Sequence, residues 1–125
     1  MLLGLSQIAQ GIVMILAPGW FYRVMPGVDE TGPLNAHLMR DTGGAFLLAG
    51  IGLVWFAGRR GAVAAGLLGA GYLCLHAALH VSDGIAGRER AAHLVVDLPV
   101  LGGLAAAALW AVWPDMFSAR ASGEQ

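Results

Sequence analysis

TGGAFLLAGIGLVWFAG, residues 42–58, holds no Asp, Glu, Lys, Arg or His, and after Arg59 and Arg60 the run GAVAAGLLGAGYLCL, residues 61–75, holds none either. Working outward, the side chains of residues 1–22 and 98–114 are likewise free of Asp, Glu, Lys, Arg and His. A helix needs about 20 mostly apolar residues to cross a hydrocarbon layer of about 30 Å. Extended over their polar ends, these runs predict four membrane-crossing helices at about 3–22, 36–57, 62–83 and 91–113. The fold class expected is all-α, a four-helix transmembrane bundle in one domain of 1–125 with a polar tail at 114–125.

Composition agrees. The chain is 58% hydrophobic and 12% charged, with a mean hydropathy of +0.69 over 125 residues. A soluble domain usually carries about 25% charged residues, because a small fold has much surface to cover. A soluble globular protein is thereby excluded, and the partner implied is the lipid bilayer. All seven basic residues are Arg and the net charge is −1, so no basic patch for nucleic acid exists. One cysteine, Cys74, excludes an internal disulfide framework and a cysteine-based zinc module.

The connections are 23–35, 58–61 and 84–90. Pro18-Gly19 and Pro26-Gly27 punctuate the first exit, and Pro33 with Asn35 prepares an N-terminal cap for the second helix. The first segment lacks a basic start and an Ala-x-Ala cleavage pattern, so a retained helix is expected there rather than a signal peptide. Trp20, Phe21 and Tyr22 close the first helix, and Trp110 and Trp113 the fourth, at the depths where amphipathic rings suit the headgroups. Ala62-x3-Gly66-x3-Ala70 and Gly103-x3-Ala107 present small residues that let helices approach closely in lipid. Gly43-Gly44 reads the same way, with room for a bound group as its alternative.

The informative residues are the polar ones inside the spans. His37 and Asp41 fall on the second helix, His76, His80 and Asp83 on the third, and His93 and Asp97 on the fourth. An ionised group near the bilayer centre costs at least about 2.5 kcal/mol, so such residues normally face the protein interior and serve a function. Residues four apart differ by about 40° around a helix, and residues seven apart by about 20°, so each set forms one stripe. With four crossings, the first and third connections lie on one side of the membrane, and all seven residues gather at that end. His37, His80 and His93 fall about 4–5 Å deep, and Asp41, His76 and Asp97 about 10 Å deep.

This ligand set predicts a transition-metal site. Imidazole suits zinc, copper and iron, and carboxylates compensate the charge of the ion. The expected ligands are His37, Asp41, His76, His80, His93 and Asp97, holding one or two ions, with Arg40 and Asp83 beside them to neutralise or orient. Three ligands per layer leave an open position, the pattern of a catalytic metal. If the protein is an enzyme, metal-assisted oxidation of a small apolar or quinone-like substrate from the bilayer is the expectation. The competing readings are a non-enzymatic metal-binding or accessory subunit of a larger membrane complex, a haem protein with two axial histidines, and a hydrogen-bond network that only sets helix register. Asp41, Asp83 and Asp97 count against haem. Assembly as a homo-oligomer or as a complex subunit stays open.

In size and four-span layout the chain resembles small bacterial inner-membrane families of unknown function, including DoxX-like proteins. The stretch Asn35-x-His37-x2-Arg40-Asp41-x-Gly43 is similar to a pattern in such families. The resemblance implies a multi-pass protein of the bacterial inner membrane and no established activity. His76-x3-His80 also resembles one histidine box of the membrane desaturases and hydroxylases. His76-x3-His80-x12-His93 resembles the Asp-x3-His-x12-His copper motif of the copper membrane monooxygenase C subunit. That likeness implies copper at His76, His80 and His93.

Overall fold

The computed structural model describes residues 1–88, 95 and 98–121. Its elements are α1 (Leu2–Leu16), α2 (Pro18–Val24), a 3-10 turn (Val28–Thr31), α3 (Ala36–Gly58), α4 (Val63–Ile85), a π-helical turn (Leu98–Gly102) and α5 (Gly103–Ala121). The protein is all-helical, with no strand among the described residues. Three helical stretches are long and apolar enough to cross a membrane: Ala36–Gly58, Val63–Ile85 and Leu98–Phe117.

The first segment departs from expectation. A single helix over 3–22 is predicted from its apolar run, but the chain breaks at Ala17 and α2 turns through 116° from α1. Proline explains the break. Within a continuous helix Pro18 would leave a carbonyl without its donor and press its ring against the preceding turn. The residue before a proline is also driven out of the α region, and Ala17 sits at φ −135°, ψ 55°. Pro18 then occupies the first turn of α2, where no N–H is required. The 15 residues of α1 extend about 22 Å, short of a hydrocarbon core of about 30 Å. Phe21, expected at the headgroups, is instead buried in the core, while Trp20 beside it stays exposed. The Tyr22 hydroxyl donates to Gly32 O at 2.8 Å and lies 3.2 Å from Asp29 O, which closes the connection on itself.

The helix expected at about 36–57 is α3, and it begins as the sequence indicates. Asn35 Oδ1 accepts from the backbone N–H groups of His37 and Leu38, both at 3.1 Å, satisfying two of the donors a helix start leaves open.

Among the described residues each long helix packs chiefly on its sequence neighbour: α1 on α3, α3 on α4, and α4 on α5. The result is a row of helices packed in chain order. Glycine decides the spacing in the row. A Cβ built on Gly11 would lie 2.5 Å from Gly43 O, so α1 and α3 meet backbone to backbone. Gly43 therefore serves packing, and the alternative of room for a bound group does not hold there. Gly66 is pressed between Phe56 of α3 and Val112 of α5, as its small-residue stripe predicts, whereas Gly103 faces open space. Phe46, Leu53, Ala70, Leu73, Ala105 and Ala108 fill the seams of the row. Leu48, Leu68, Ile85 and Trp110 stand out from it, a surface suited to lipid.

Arg60 closes the end opposite the histidines. Its guanidinium lies over the Phe56 ring at 4.7 Å, reaches Asp115 at 3.6 Å and donates to Ala111 O at 3.4 Å. The α3–α4 turn is thus tied to α5.

Candidate metal centre

On α4, residues 72, 76 and 80 follow at intervals of four, so Tyr72, His76 and His80 climb one side of the helix. The rings of His76 and His80 meet edge to face with centroids 4.8 Å apart. Tyr72 and His76 lie nearly parallel, 16° between planes and 6.1 Å between centroids. Phe46 of α3 stands edge-on to both, 5.1 Å from Tyr72 and 5.0 Å from His76. Phe46 is buried, so it holds this face of α4 from behind.

In front of the rings lies a half-open groove of about 350 Å³. Thr42 of α3 forms one wall, Tyr72, His76 and His80 the floor, and Leu75 and Leu79 the rim, with Asp83 at the outer end. The Thr42 hydroxyl donates back to Leu38 O at 2.9 Å, so its oxygen still has accepting capacity toward the groove. Asp83 pairs with Arg88 of the following connection at 2.8 Å. That ion pair sets the polar mouth of the groove.

The second stripe is elsewhere. His37 Nε2 lies 3.4 Å from Asp41 Oδ2, with side chains 88% and 62% exposed. Among the described residues His37 and Asp41 form a pair of their own, and no three His, Cys, Asp or Glu side chains come together as a metal cage. Helix register gives the reason. Thr42 and Phe46 face α4, and Gly43 faces α1. Asp41 precedes Thr42 by one residue, about 100° around the helix and on the side away from Gly43. His37 shares that direction. A stripe tells which residues share a face, but the Gly11–Gly43 contact decides where that face points.

Among the described residues Arg40 forms no ion pair with an acid. Its Nε donates to Ile15 O at 3.2 Å, satisfying a carbonyl that the break before Pro18 leaves open. Arg40 thereby caps the end of α1. Cys74 directs its thiol at Ala105 O, 4.0 Å away, and Met39 packs on the core; neither joins the groove. His93 and Asp97 lie outside the described residues.

Two groove residues escape a search for ligands, Tyr72 and Thr42. Tyr72 was legible, since it continues the His76–His80 spacing by one turn. Thr42 carried no signal beyond a hydroxyl in an apolar run. Comparison with protein-family models, with curated proteins and with solved structures finds no match.

Proposed function

We propose that this is a four-span membrane protein, the bent α1–α2 pair counting as one crossing, which binds a transition metal at His76 and His80. The side-by-side imidazoles in an apolar groove carry this reading. Two histidines at i and i+4 present two nitrogens to one ion, the unit that helical zinc sites use. Water is scarce at this depth, and retaining polar side chains there has a cost that a bound ion offsets. On this proposal the sequence offers His93 and Asp97 as the remaining ligands, for a set of three imidazoles and one carboxylate. Copper, iron and zinc all accept such a set. His37 and Asp41 stand apart as an exposed pair and contribute no ligand.

The groove beside the ligand pair favours a metal-dependent oxidoreductase over a storage or accessory subunit, since storage needs no space for a second molecule. A π-helical turn at Leu98–Gly102 packs against α4. Such turns recur at functional sites, and Pro99, which cannot donate, accounts for the interrupted ladder here. The resemblance to small inner-membrane families supports the bacterial inner membrane as its place.

Metal analysis of detergent-purified protein, read with its optical spectrum, tests the proposal. Stoichiometric transition metal without a Soret band is expected. A Soret band would replace the proposal with the haem reading.

A further inference from the structure

We infer that the groove on α4 takes the ring of a membrane quinone. The inference builds on the reading above in sharing the His76–His80 site, and the experiment below separates the two. Access comes first. Leu75 and Leu79 form the rim and are 59% and 54% exposed, on a helix long and apolar enough to lie within the bilayer. An occupant crossing that rim arrives from lipid, so it must be lipid-soluble.

Size comes next. A groove of about 350 Å³ stands at the low end of ligand clefts, which run from about 300 to 1,000 Å³. It accommodates a ring-sized head and leaves an apolar tail to lie over Leu75 and Leu79. Shape and polarity narrow the choice further. The floor is aromatic, with Tyr72 and His76 near parallel to each other and Phe46 edge-on to both, a lining that suits an aromatic or quinonoid head. Four hydrogen-bonding residues line it: Tyr72, His76 and His80 of α4, and Thr42 on the facing wall. Tyr72 lies near the middle of α4, and from there to Asp83 the axis rises about 16 Å. A flat apolar ring with oxygens at its edges and a hydrocarbon tail matches each of these features. Fatty acyl chains lack the edge oxygens, and water-soluble carbonyl compounds lack the tail.

The test uses full-length protein purified in dodecyl maltoside, with a decyl-tailed azidoquinone as photoprobe and decylubiquinone as competitor. Crosslinked peptides are mapped by mass spectrometry, and metal content is measured on the same sample. The expected result is labelling within residues 72–83 that excess decylubiquinone suppresses and decanol does not. Leu75→Trp and Leu79→Trp should each reduce that labelling about tenfold. Both positions are exposed, so a larger side chain fills the groove without crowding the core. Tyr72→Phe should weaken competition several-fold while leaving the metal in place. Labelling spread over Leu48, Leu68 and Trp110 without competition would overturn the inference, as would labelling unchanged in both tryptophan variants. Competed labelling of metal-free protein would support the quinone site and overturn the metal proposal. Metal-loaded protein without competed labelling would do the reverse.

Discussion

Gly43 and Gly44 are neighbours in sequence with opposite surroundings. A Cβ at Gly43 would lie 2.7 Å from Met14 Cβ and 2.9 Å from Gly11 O, whereas one at Gly44 would meet nothing within 4 Å. Gly43→Ala should therefore force α1 from α3 and cost about 1–3 kcal/mol, the usual range for overpacking. Gly44→Ala should be neutral or gain up to about 1 kcal/mol from helix propensity. Unfolding of both variants in mixed micelles checks the contrast, and equal losses would deny the close α1–α3 contact. Asn35→Ala should cost about 1 kcal/mol in the same assay, with Asn35→Ser restoring most of it. At this scale the sequence was partly legible. Asn35 announced its cap, and the four-residue interval announced that His76 and His80 share a face. That His37 and Asp41 turn away was not legible, because the direction of their stripe depends on which glycine of α3 meets α1. Both Gly43 and Gly44 were candidates on composition alone.

Among the elements, the broken first helix and its repair belong together. Pro18 ends α1 after 15 residues, and Arg40, placed on α3 one turn past His37, supplies a donor to the Ile15 carbonyl that the break exposes. Arg40→Ala should lower stability by about 1 kcal/mol, the low end for a bond to a charged group because Arg40 is exposed. Faster hydrogen exchange should appear in the last turn of α1 and not in α4. Exchange unchanged in α1 would show that the carbonyl is satisfied by another group. The existence of the apolar segments was plain from the charge-free runs, since period and charge report on the environment of a helix. The break was signalled by Pro18-Gly19, but a proline can also end a helix at the membrane surface. The 116° turn and the burial of Phe21, both tertiary facts, show that α2 folds back onto the core.

At the scale of the whole molecule, the row of helices has two distinct ends. One carries Arg59 and Arg60, with Arg60 held by Phe56 and Asp115; the other carries the mouth of the groove at Asp83. Positive charge favours the cytoplasmic side, so the α3–α4 turn should face the cytoplasm and the groove mouth the opposite side. Gly61→Cys in a Cys74→Ala background reports on this, since Gly61 has nothing within 4 Å of a new Cβ. An impermeant maleimide should leave it unlabelled in intact cells and label it after permeabilisation; labelling of intact cells would reverse the orientation. Acidification should strip the metal, because a ligating imidazole must be neutral. The most direct measurement is metal content per chain in purified wild type, His80→Gln and His37→Gln, each shown by circular dichroism to retain its helices. Wild type and His37→Gln are expected to carry stoichiometric metal and His80→Gln to carry almost none. A wild-type protein free of metal after metal-replete expression, or equal metal in all three, would contradict a site built on His76 and His80.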